Sequence, residues 1–83
     1  MKKYLIRFNQ IDQVKNFNAV VIHFDADMDL LNGRYIIDAK SIMGIFSLDL
    51  SKHIEFHIHT EDDALAQAVV KGLKEKGIDI VAA

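Results

Sequence analysis

The 83-residue chain contains no cysteine and no proline. Without cysteine there are no disulfide staples, no CxxC redox chemistry and no thiolate metal sites. Without proline, low-complexity runs or internal repeats, nothing marks a linker. Domains typically run to roughly 100–200 residues, so the chain is read as one domain, 1–83, with 78–83 a short tail. At this length a single hydrophobic core is thin. No run approaches the ~18 apolar residues of a membrane helix. The opening MKKYLIRFNQ has two lysines, but Arg7 breaks the apolar stretch an export signal would need. A cytoplasmic protein is expected. The formal net charge is −2 with both signs interspersed, so no electrostatic pull toward nucleic acid or an anionic membrane is expected. Also missing are GxxxxGK, GxSxG, HExxH and GxGxxG, so neither independent enzyme chemistry nor a cofactor is expected.

What is present is 51% hydrophobic and 27% charged residues, the balance of a globular domain. Tyr4, Ile6 and Phe8 alternate with Leu5 and Arg7, as in a half-buried strand. Ile11, Val14, Phe17 and Val21 share one helical face, with Asn9 or Asp12 as N-cap. FDADMDLLNGRYIID reads as a hairpin, with Ala26, Met28 and Leu30 on one side and Asp25, Asp27 and Asp29 on the other. Asn32-Gly33 at its tip suggests a type I′ turn, whose central residues need positive φ. The return strand is expected at about Arg34 to Ile37. A short helix follows from Ser41 and ends before Asp49. In KHIEFHIHT, Ile54, Phe56 and Ile58 point inward and His53, Glu55, His57 and His59 outward. The last helix starts at a cap near Thr60, with Glu61, Asp62 and Asp63 at its positive end. It buries Leu65, Ala68, Val69 and Leu73 and stops at Gly77. The order βαββαβα implies an α+β, open-faced sandwich: a four-stranded antiparallel sheet covered on one face by three helices.

DAKSIMGIFSL, FDAD before the hairpin, the Asn-Gly turn and the acidic start of the last helix together resemble HPr. This is the histidine-containing phosphocarrier family of the bacterial sugar phosphotransferase system. The resemblance covers about Phe24 to Gly77 and, more loosely, the first strand and helix. HPr proteins carry phosphate on a histidine in a Gly-Leu-His-Ala-Arg-Pro loop at the start of the first helix, and the arginine helps to hold the phosphoryl group. That motif is missing here. Counting back from FDAD puts Gln10 where the histidine would be and Asp12 where the arginine would be. Glutamine has no nucleophilic nitrogen, and aspartate repels a group that needs donors and positive charge. Phosphohistidine transfer is therefore expected to be lost.

The resemblance also implies roles for KSIMG. The serine matching Ser41 is phosphorylated in Gram-positive HPr proteins by HPr kinase/phosphorylase, and the seryl-phosphorylated form binds catabolite control protein A. The catabolite repression HPr, which lost the histidine and kept the serine, is the pattern this chain is similar to. An N-cap serine phosphate would meet free helix N–H groups, with Lys40 a nearby cation. Residues matching Ile42, Met43 and Phe46 help to dock enzyme I, the sugar permease domains and the regulator; methionine suits an adaptable surface. From the local residues alone, Ser41 is an ordinary cap, Lys40 a solvated lysine, and Ile42, Ile45 and Phe46 a buried stripe with Met43 exposed. Two rival readings remain. His53, Glu55, His57 and His59, with the hairpin aspartates, form a candidate Zn or Ni surface; the plain alternative is a solvated face of cross-strand pairs. The exposed sheet or the IDIVAA tail would otherwise form an oligomer. His23 is read as a cation at a helix C-terminus.

Overall fold

The computed structural model describes all residues, Met1–Ala83. Its elements are β1 (Lys2–Arg7), α1 (Gln13–Val21), β2 (Met28–Asn32), β3 (Tyr35–Asp38), α2 (Ile42–Ile45), β4 (Ile54–Ile58), α3 (Asp63–Glu75) and β5 (Asp79–Ala82). The sheet is antiparallel with order β3-β2-β4-β1-β5. Period-2 alternation turns Ile6, Met28, Leu30, Ile54, Phe56 and Ile58 to one side. There they form a single core with Val14, Phe17 and Val21 of α1, Ile45 of α2, and Ala66, Val69 and Leu73 of α3. At its centre Phe17 meets Phe8 and Phe56 edge-on, with ring centroids 5.5 and 5.3 Å apart. Every buried residue is apolar.

The α+β sandwich is as expected, with one strand more. The IDIVAA segment is not a loose tail: β5 pairs with β1 (Leu5 opposite Val81, Ile6 opposite Ile80). The turn that allows this is a Schellman motif at the end of α3. Gly77 takes φ +78°, its N–H donates to the Lys74 carbonyl, and the Ile78 N–H donates to Leu73, both at 3.0 Å. Ile78 and Ile80 are thereby buried.

Local details differ from the pattern for identifiable reasons. Ile11 does not join the α1 stripe and is 70% exposed. Residues Gln10–Asp12 form tight i→i+3 turns, with Gln13 N–H donating to Gln10 and Val14 N–H to Ile11, so the helix starts at Gln13, the start that goes with Asp12 rather than Asn9 as N-cap. Asp12 holds the cap position without a side-chain cap bond. Gln13 instead accepts the Asn9 N–H at 2.8 Å and donates to the Gly77 carbonyl at 3.1 Å. At α3 the cap is Asp62, which accepts from Ala64 and Leu65; Thr60, two residues upstream, accepts the Asp62 N–H. From that start the i, i+3, i+4, i+7 stripe is Ala66, Val69, Val70 and Leu73, so Ala66 is inside and Ala68 outside.

In the hairpin, Asn32 pairs with Tyr35, so the central residues are Gly33 and Arg34. Only Gly33 has positive φ, +62°, the pattern of a type II′ rather than a type I′ turn. β2 begins at Met28, which leaves Asp25 and Asp27 off the sheet.

Candidate functional site

The chain enters α2 through a chain of local bonds. The Ala39 N–H pairs with the Met28 carbonyl at 2.9 Å, burying Ala39. Asp38 turns the backbone: its carboxylate accepts the Lys40 N–H and its carbonyl accepts the Ser41 N–H, both at 2.9 Å. Ser41 then sits at the N-cap in extended conformation, with its Oγ accepting the Gly44 N–H at 3.3 Å. Gly44 lets α2 approach Ile37 of β3 closely. A Cβ there would stand 2.7 Å from Ile37 Cγ2 and 3.2 Å from Ser41 Oγ.

This anchoring decides which side chains α2 offers. Ile45 is buried and Ile42 half-buried, while Met43 is 79% and Phe46 39% exposed. Phe46 therefore leaves the buried stripe in which the local pattern put it. It lies past the last helical residue, where the N–H of Leu48 turns back to Ile45. Ser41 is itself exposed. Lys40 lies half-buried, its Nζ donating to the Phe24 carbonyl at 2.7 Å. Its carbonyl accepts from the Asn18 amide at 2.9 Å. In this arrangement its charge serves the turn after α1, not the Ser41 side chain.

The segment after α2 leads to the second part of the site. Leu50 and Ser51 share a shallow hollow with Phe8, Asn9, Gln10 and Ile11. Asp49 fixes this segment: the Ser51 hydroxyl and N–H both donate to its carboxylate. These bonds, hydroxyl first, hold the Asp49 carboxyl below its ordinary value, with Lys52 adding to them. Gln10 and Asp12 are both exposed. The hollow presents two amides (Asn9, Gln10), three apolar side chains (Phe8, Ile11, Leu50) and the Ser51 hydroxyl, with no imidazole and no cation among its lining residues. Its rim residue Ile11 was not legible as a surface feature, because its spacing from Val14 matches a helical face.

The histidine face is organised differently. His57 Nε2 lies 3.0 Å from Glu55 Oε2, and His59 Nε2 lies 2.6 Å from Asp29 Oδ2. His53, Glu55, His57 and His59 are thus not gathered about one point, and no group of three His, Asp or Glu side chains is placed to hold a metal ion. The face matches the plain alternative of paired polar side chains. No helix is long and apolar enough to cross a membrane.

Comparison with known proteins bears on both parts. The family model described as "PTS HPr component phosphorylation site" matches residues 13–75. The loop carrying Gln10 and Asp12 lies just outside that span. Among solved structures, the chain is similar to HPr-C-His from Thermoanaerobacter tengcongensis. The TM-score is 0.71 and the identity 21%, over 92% of this chain and 94% of that one. No match was found among proteins of curated function.

Proposed function

The chain belongs to the HPr family, and from that premise we propose that it is a protein-binding, regulatory member of the phosphotransferase system that does not carry phosphohistidine. HPr proteins are phosphocarriers rather than enzymes, and their partners are phosphotransferase-system proteins. The observation that carries the proposal is the exposure of Met43 on α2 and of Phe46 just past its end, with an exposed Ser41 at the N-cap, beside a loop with no histidine. Apolar side chains exposed together at such a surface suit a protein partner rather than a small substrate. Gln10 and Asp12 cannot supply the nucleophile and the cation that phosphoryl transfer requires.

Ser41 is the regulatory position in this reading. A phosphoryl group there adds about 1.5–2 negative charges at neutral pH, two residues from the exposed Met43. The same surface would then be apolar in one state and anionic in the other, which changes the partner it suits. The partners that fit are HPr kinase/phosphorylase for the modification, catabolite control protein A for the modified form, and enzyme I or a sugar permease domain for the unmodified form. No enzyme activity, nucleic acid or cofactor is assigned to the chain.

The test is incubation with purified HPr kinase and ATP. One phosphoryl group per chain is expected, absent in Ser41→Ala, and the product should bind catabolite control protein A more tightly than the unmodified chain. Absence of label on Ser41 removes the switch. Unchanged binding of the labelled product in Met43→Asp removes the docking role of α2.

A further inference from the structure

The sheet face turned away from the helices has a symmetry that one chain does not use. β4 is its central strand, with β2 and β1 beside it and β3 and β5 outside them. Cross-strand register lays two rows over this face. One runs Ile36, Leu31, Glu55, Leu5, Val81, and the other Asp38, Asp29, His57, Lys3. In the first row Ile36 is 66% and Val81 54% exposed, while Leu31 and Leu5 are half-buried. Apart from Glu55 it is an apolar band across all five strands. In the second row the charge is acidic on the β2 side of β4 and basic on the β1 side. Asp29, whose Oδ2 lies 2.6 Å from His59 Nε2, and Lys3 are two strand spacings apart, roughly 10 Å, too far to pair within one chain.

We propose that this face binds a second copy of the chain, sheet on sheet, about a twofold axis running along β4. That rotation exchanges β2 with β1 and β3 with β5. Leu31 then lies over Leu5 of the second copy, Ile36 over Val81, and Asp29 over Lys3, each contact occurring twice. Lys3 of the second copy adds to the contact that Asp29 has with His59. Strands stay aligned, the arrangement of packed β-sheets about 10 Å apart and rotated by about 30°. The open sandwich is thereby closed into one with two sheets inside. Charge complementarity singles out a second copy as occupant, because the acidic and basic halves of the row are mirror positions about β4. On the far edge, Arg7 and Asp79 stand opposite one another in register, so their formal charges sum to zero there. Asp38 gains no partner. Glu55 lies at the axis and meets Glu55 of the second copy, each beside its own His57 at 3.0 Å.

Five strands of four to six residues offer a face of roughly 400 Å² by strand spacing and rise. That is about half of a standard interface per partner. The dimer is accordingly weak and concentration-dependent. It uses none of the Ser41 surface, so Ser41→Ala leaves it unchanged and the two proposals fail separately.

Sedimentation of the full chain between about 10 μM and 1 mM tests it. Average mass should rise from monomer toward dimer across that range. Ile36→Lys, or Val81→Lys if the first fails to fold by circular dichroism, should remain monomeric throughout. Lys3→Asp and Asp29→Lys should each weaken association about tenfold, and the double variant should recover most of the loss. Glu55→Gln should tighten it. A monomer at every concentration overturns the proposal. So does a dimer indifferent to Ile36→Lys and Val81→Lys, or a double charge reversal no better than the single ones.

Discussion

Lys40 places its ammonium 2.7 Å from the carbonyl oxygen of Phe24, and this bond joins the approach to α2 to the turn that follows α1. The Asn18 amide closes the same junction from the helix side. A lysine next to the cap serine invites a phosphate-binding role, but the geometry gives it a structural one. Charge-assisted bonds of this kind contribute about 1.5–3 kcal/mol, and here water can reach part of the group. Lys40→Met should lower stability by about 1–2 kcal/mol, read as a lower urea midpoint with unchanged slope. An unchanged midpoint would show that the bond is replaced by solvent at no cost.

Gly44 makes a second stability prediction with opposing terms. Alanine gains about 1 kcal/mol of helix propensity over glycine, which by itself would stabilise α2. The new methyl, however, would stand 2.7 Å from Ile37 Cγ2, an atom on a stiff β-branched side chain. Overpacking of that kind costs about 1–3 kcal/mol, so Gly44→Ala should be destabilising by about 1 kcal/mol. In an Ile37→Ala background the same change should become neutral or favourable, and a double-mutant cycle measures the difference. Equal effects in both backgrounds would rule out the close approach.

These junctions explain what was legible in the sequence and what was not. Strand alternation at Ile54, Phe56 and Ile58, and the Ser41 cap, depend on neighbouring residues alone and were readable. Gln10–Asp12 were not, because three residues in a tight turn carry the same i, i+3 spacing from Ile11 to Val14 as a helix. β5 is not legible, because Ile78 and Ile80 are too few to establish a period; the positive φ at Gly77 decides that the chain returns to the sheet. Ala66 and Ala68 are chemically equal, so only the cap at Asp62 fixes which faces inward. The histidine pattern is plain in the sequence, but alternation along one strand does not bring side chains to a point. The pairs His57–Glu55 and His59–Asp29 formed instead.

The acid limb of stability should carry one identifiable contribution. Lys2 donates to the Asp63 carboxylate, joining β1 to the first turn of α3. That hydrogen bond, with the charge attraction after it, holds the Asp63 carboxyl below its ordinary value and raises Lys2. A carboxyl whose folded pKa is depressed stabilises the fold above its unfolded pKa, about 3.9. The contribution is lost as pH falls through the lower folded value. The native chain should therefore lose more stability between about pH 5 and 3 than Asp63→Asn does. The difference should shrink in about 0.5 M salt, because the carboxylate is solvent-exposed. Parallel curves for the two proteins would contradict the assignment.

The central claim is that the α2 surface is kept for partners while the phosphohistidine chemistry is gone. Incubation of the chain with enzyme I and labelled phosphoenolpyruvate tests it most directly, beside a histidine-bearing HPr as positive control. The account predicts no acid-labile phosphoryl group on this chain while the control is fully labelled. A stable, acid-labile adduct on any of His23, His53, His57 or His59 would contradict it.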